Sequence, residues 1–101
     1  MAYTPIPGLT FAVVSSGAAV TVFNANPNGG FIQNPLLATD QGIANAEPLL
    51  VTATGDDPAL SANGTTFAIQ PGEKWNVIPG QTTVTKVTAT TAGHKFSAVS
   101  Y

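Results

Sequence analysis

Apolar and polar residues alternate along this chain in short runs, and none keeps a helical period beyond about two turns. Leu9, Phe11 and Val13 share one face of a strand over 9–14, and Ala18, Val20 and Val22 share one face of a strand over 18–23. Ser15, Ser16 and Gly17 turn the chain between them. Leu49, Val51 and Ala53 mark a strand over 49–54, and Trp75 and Val77 mark another. A Thr-rich run over 83–90 and a last run over 94–101 follow, while residues 31–33 offer only a brief pairing. The segment 34–48 is the least regular. There Asp40 is placed to cap a single helical turn through Ala46, although Gly42 weakens it.

Turn chemistry separates these runs. The stretch from Asn24 to Gly30 is a loop by composition. Pro71-Gly72 and Pro79-Gly80 fit the central positions of type II turns. Asn63-Gly64 is the favoured pair for a two-residue hairpin with both central residues at positive φ. Counting outward from it sets Ala62 against Thr65, Ser61 against Thr66 and Leu60 against Phe67, with Ile69 on the apolar side. Pro5 and Pro7 lack backbone N–H groups, so residues 1–8 form an extended arm or an edge and not a central strand. The prediction is all-β: a small antiparallel β-sandwich or jelly-roll-like barrel of seven or eight short strands, with an extended N-terminal arm over 1–8 and a single β domain over 9–101.

Composition adds to this picture chiefly through charge. Only 8% of the 101 residues are charged, and none is Arg. The bases are Lys74, Lys86 and Lys95; the acids are Asp40, Glu47, Asp56, Asp57 and Glu73. Thr, Ser, Asn and Gln must supply most of the polar surface, and a net charge of −2 resists association weakly. That balance suits a surface covered by partners, and it does not suit nucleic acid, which needs a basic stripe. There is no Cys, hence no thiol chemistry. The N-terminus has no basic and apolar regions of a secretory signal, and no apolar run approaches the ~20 residues of a membrane span. The expectation is a protein made in the cytoplasm that contacts no membrane.

Candidate chemistry is sparse. His94 is the only histidine, with no nucleophile elbow to serve, and its place between Gly93 and Lys95 reads as turn capping. Asp56-Asp57 precedes Pro58 without the alternating oxygens that calcium requires, so it too reads as a turn. Zinc has no ligand set. The five carboxylates show no spacing that favours a glycosidase pair. Trp75 reads as a core residue, with a sugar-stacking platform as the alternative. Asn24, Asn26, Asn28 and Asn34 read as turn formers or as a polar binding loop. The expectation is no enzyme, no cofactor and no metal.

Five stretches carry a resemblance: Gly30-Phe-Ile-Gln-Asn-Pro35, Asp40-Gln-Gly42, Ala46-Glu-Pro-Leu-Leu-Val51, Gly64-Thr-Thr-Phe-Ala-Ile-Gln-Pro-Gly72 and Gly93-His-Lys-Phe96. In these, over 30–98, the chain resembles small structural virion proteins of tailed phages. The resemblance implies a β-sandwich subunit that decorates or cements the capsid in many copies. Its partners would be the major capsid protein and sister subunits, and analogy with capsid decoration proteins gives a homo-oligomer, a trimer first. Its location would be the capsid surface of the virion, after synthesis in the host cytoplasm. The apolar groups of the arm, Tyr3, Pro5, Ile6 and Pro7, are the expected assembly contacts, because preset proline angles reduce the entropy lost on docking. The alternative is a small ligand- or carbohydrate-binding module of a tail or fibre.

Overall fold

Short runs rich in Val, Thr and Ile, cut by Gly and Pro, can pair only as many brief strands. The computed structural model describes residues 4–5, as backbone, and residues 19–101. It contains β1 (Thr4–Pro5), β2 (Val20–Phe23), β3 (Gly30–Gln33), α1 (Ala38–Gln41), β4 (Leu49–Thr52), β5 (Phe67–Ile69), β6 (Lys74–Val77), β7 (Thr85–Thr88) and β8 (Ser97–Ser100). The expected strand over 9–14 and its turn at 15–17 lie outside the described residues.

All pairings among the described residues are antiparallel. One sheet has the order β1-β8-β3-β6 and the other β2-β7-β4-β5. From β2 onward every connection crosses from one sheet to the other except that between β4 and β5. Two four-stranded sheets wound in this way make a double-sheet jelly roll. Among the described residues the sheets are not closed into a barrel, and the expected sandwich holds.

The inner faces follow the two-residue period. Ile32 and Ala98 from the first sheet meet Leu49, Val51, Ile69 and Val87 from the second, all nearly or fully buried. In β2 the register slips between Thr21 and Phe23. This bulge turns both Val22 and Phe23 into the core, where strict alternation would expose one of them. Strand β4 is buried on both faces. Its outer face carries Thr52, whose hydroxyl donates to the Asp56 carbonyl, so the long 53–66 connection lies against that face.

Three local expectations are corrected. Residues 31–33, given only a brief pairing, belong to β3, which is central and pairs with both β6 and β8. Asp40 does not cap the helix; Leu37 is the N-cap, Asp40 lies in the first turn, and Gly42 ends the helix after one turn at φ 74°. The Asn63-Gly64 hairpin does not form. Neither residue has positive φ, and the tight turn is shifted by one, with Gly64 and Thr65 between Asn63 and Thr66. Asn63 Oδ1 accepts the N–H groups of Thr65 and Thr66 at 2.9 and 2.8 Å, which favours an ordinary turn with Asn in its first position. Phe67 consequently pairs with Val51 of β4, not with Leu60, which is exposed.

Candidate functional site

The connections gather at the two ends of the sandwich. At one end lie 34–48, 70–73 and 89–96; at the other lie 24–29, 53–66 and 78–84. The first end holds the described residues with the most chemistry.

Asn34 follows β3 and is fully buried. Its backbone N–H donates to the Glu73 carbonyl at 3.1 Å, and its carbonyl accepts from Gly72 at 2.8 Å. Its side-chain Nδ2 donates to the carbonyls of Glu47 (2.9 Å) and Ile69 (2.8 Å). Two carbonyl partners fix which amide atom is nitrogen, so Oδ1 is the acceptor. Oδ1 receives Gln41 Nε2 at 3.0 Å and lies 2.8 Å from His94 Nε2. Gln41, also fully buried, is held by α1. It donates to the Pro35 and Glu47 carbonyls and accepts the Glu47 N–H at 2.9 Å. Its own carbonyl accepts from Lys95.

His94 is 0% exposed. Because it faces an acceptor, Nε2 carries the proton, which leaves Nδ1 as the bare nitrogen of a neutral ring. Nδ1 is buried without a hydrogen-bond partner. Burial pushes the His94 pKa below its ordinary 6.5, opposed by the nearby Glu47 carboxylate. Glu47 in turn accepts the hydroxyls of Thr90 and Thr91, each at 2.6 Å, and these hold its pKa below the usual 4.5. The expected turn-capping role of His94 is corrected: it is a buried hub that binds a residue sixty positions away.

This network has no exposed nucleophile and no paired carboxylates. Among the described residues no three His, Asp or Glu side chains could share a metal ion. Its geometry suits bracing, since it satisfies backbone groups that no strand ladder reaches. Sequence reasoning took Asn34 for a turn former and passed over Gln41. The usable signal was the irregularity of 34–48 itself, because such a segment needs buried amides to pair its backbone.

The remaining candidates lie apart from this network. Asp56 Oδ2 accepts the Thr54 hydroxyl, and Asp57 forms an ion pair of 3.1 Å with Lys86, so the two acids serve their connection separately. Asn24, Asn26 and Asn28 sit at the opposite end from Asn34; the four make no common loop. Trp75 is half-buried against the core, and the Phe67 ring, half exposed, lies 5.2 Å from it across the open edge between β5 and β6. Of the expected assembly contacts, Pro5 belongs to β1, whose edge position its missing N–H requires, with Thr4 opposite Ser100. Tyr3, Ile6 and Pro7 lie outside the described residues.

Among the described residues several large apolar side chains are exposed. Leu36 and Leu37 are 64% and 57% exposed at the His94 end, where Leu36 lies against Gly72. Ile78 is 67% exposed at the other end, beside Pro79 in the chain. Among the described residues no helix is long and apolar enough to cross a membrane. The molecule is thus a jelly-roll sandwich with its polar chemistry inside and apolar groups at its ends. No protein-family model matches the chain, and no curated protein or solved structure matches it.

Proposed function

We propose that this protein is a structural component of a tailed-phage virion that decorates or cements the capsid through protein–protein contacts, bound to the major capsid protein and to sister subunits as a homo-oligomer, with a trimer the first expectation. The observation that carries the reading is the surface. Three basic and five acidic residues serve the whole chain. Leu36, Leu37, Leu60, Phe67 and Ile78 are each about half exposed or more. A small domain with so little charge gains by covering such groups. Double-sheet jelly rolls also occur in viral capsids, which supports the reading by analogy of fold alone. The buried placement of His94, Asn34 and Gln41 suits bracing better than turnover.

The test is mass spectrometry of purified virions, with copy number measured against the major capsid protein, and rebinding of purified protein to capsids that lack it. Stoichiometric occupancy is the expected result. Absence from the particle, with only monomer in ultracentrifugation at high concentration, would overturn the proposal.

The Phe67–Trp75 pair favours a second reading, a carbohydrate-binding module of a tail or fibre. A half-exposed Phe67 ring packed on a half-buried Trp75 at an open edge, with Asn76 and Gln70 exposed on the same two strands or next to them, offers parts that a sugar platform uses. Glycan binding lost in Phe67→Ala, with capsid binding absent, would select it.

A further inference from the structure

We propose that Asn63 is a self-modifying residue, which deamidates by attack of the Gly64 backbone nitrogen while the chain remains folded. The sequence holds two Asn-Gly pairs, Asn28-Gly29 and Asn63-Gly64. In an unfolded chain the two are chemically alike, because Gly has no side chain to hinder its nitrogen from approaching the Asn side-chain carbonyl. The fold separates them.

Gly29 is buried at φ 106°, with the Tyr101 ring 3.2 Å and Pro79 3.3 Å from where a Cβ would stand. Its carbonyl accepts the Tyr101 N–H at 3.0 Å. Ring closure would have to turn a peptide held on several sides. Gly64 is exposed, has negative φ, and has nothing within 4 Å of its Cβ position. Nothing outside its own turn crowds the Gly64 position.

The side chain of Asn63 is already activated. Its hydrogen bonds run through Oδ1, which accepts the N–H groups of Thr65 and Thr66 and, at 3.4 Å, the Thr65 hydroxyl. These donors draw electron density from Cγ. They also stand where the tetrahedral intermediate would place its negative charge, as an oxyanion hole does.

The step balances with water as the only co-reactant. The Gly64 nitrogen loses its proton and bonds to Asn63 Cγ. The Cγ–Nδ2 bond breaks, and Nδ2 takes up a proton and leaves as ammonia, giving a succinimide. Water then opens the ring, at Cγ to give aspartate or at the main-chain carbonyl to give isoaspartate. Either product makes the chain one charge more negative. Aspartate can keep the Thr65 and Thr66 N–H donors. Isoaspartate inserts a methylene into the backbone and breaks the bond from the Asn63 N–H to the Thr66 carbonyl, which measures 2.9 Å here.

The test holds purified protein at mildly alkaline pH beside a sample unfolded in urea, with peptide mapping by mass spectrometry over days. In the folded sample the Asn63 peptide should gain one dalton, with isoaspartate present, about tenfold or more faster than the Asn28 peptide. In urea the two rates should converge. Gly64→Ala, which meets no steric obstacle, should slow the reaction at Asn63 severalfold and leave the fold unchanged. Equal rates in the folded protein, no reaction at Asn63 while the urea sample reacts, or an unchanged rate in Gly64→Ala would overturn the proposal.

Discussion

The two ends of the sandwich are closed by different means. At the His94 end, buried side chains from two connections meet: Gln41 and His94 converge on the one side-chain oxygen of Asn34. At the opposite end no such buried side-chain cluster forms among the described residues, and backbone bonds join the connections. The Asn26 N–H donates to the Gln81 carbonyl at 2.6 Å, Gly80 to Pro27 at 2.8 Å and Tyr101 to Gly29 at 3.0 Å. The side-chain bonds there are exposed or only partly buried, among them the Gln81 amide on the Thr83 carbonyl and the Thr83 hydroxyl on the Ala53 carbonyl. One end therefore depends on which side chains are present, and the other on which backbone angles the residues allow.

The sharpest way to break this comparison is Asn34→Leu. The change keeps the branched shape but leaves the Ile69 carbonyl and the His94 ring N–H without their partner, and the Glu47 carbonyl with Gln41 alone. Each buried unsatisfied group costs about 1–3 kcal/mol, so the expected loss is about 3–5 kcal/mol. That is a large part of the 5–15 kcal/mol a typical domain possesses. Urea unfolding measures it, and a loss below about 1 kcal/mol would mean that the amide does not hold this end.

The matching test at the other end acts on the backbone. Gly30 opens β3, and a Cβ there would strike the Val99 carbonyl oxygen and the Phe23 ring, 2.9 Å away. Gly30→Ala should cost about 2–3 kcal/mol, the range of overpacking in a filled core. The same unfolding experiment should show little effect for Gly80→Ala beyond its φ strain, because open space surrounds that position.

The contrast also explains what was legible in the sequence. Period-two alternation located β2, β4 and β6, Thr-rich composition located β7, and Pro-Gly pairs located two turns, because those signals act within a few residues. The Asn34–His94 contact spans sixty positions and leaves no local trace. The Asn63-Gly64 signal misled for a related reason. The pair fits a primed turn, but Asn63 gains two backbone N–H bonds in the ordinary turn, and β5 gains a longer partner in β4. Tertiary pairing outweighed the dipeptide preference. The central place of β3 was hidden because Gly30 and Gln33 at its ends are poor strand formers.

Lowering the pH should weaken the His94 end selectively. Burial lowers the His94 pKa in the native state, so the unfolded chain binds a proton that the native chain does not. Stability is fully present above about pH 6.5 and falls as pH drops from there through the native value, by at most about 1.4 kcal/mol per pH unit for one proton. Glu47 acts in the same direction below pH 4.5, since its hydrogen bonds to Thr90 and Thr91 are lost on protonation. Denaturant midpoints between pH 7 and 5 should fall for the native chain and stay nearly level for His94→Phe, which cannot titrate. Parallel slopes in the two proteins would remove His94 from the acid response.

The smallest effect is expected where only a backbone angle is at stake. Asn26 has φ 60°, the left-handed region that Asn tolerates better than other residues with side chains. Its N–H holds Gln81, while its side chain is exposed and needs no partner there. Asn26→Ala retains the N–H but must pay the left-handed strain, about 1 kcal/mol. Asn26→Gly removes that strain and adds freedom to the unfolded chain, and the two nearly cancel, leaving a change within about 0.5 kcal/mol. If Asn26→Gly instead cost as much as Asn34→Leu, the side chain of Asn26 would be bracing this end as Asn34 braces the other, and the division between a side-chain end and a backbone end would fail.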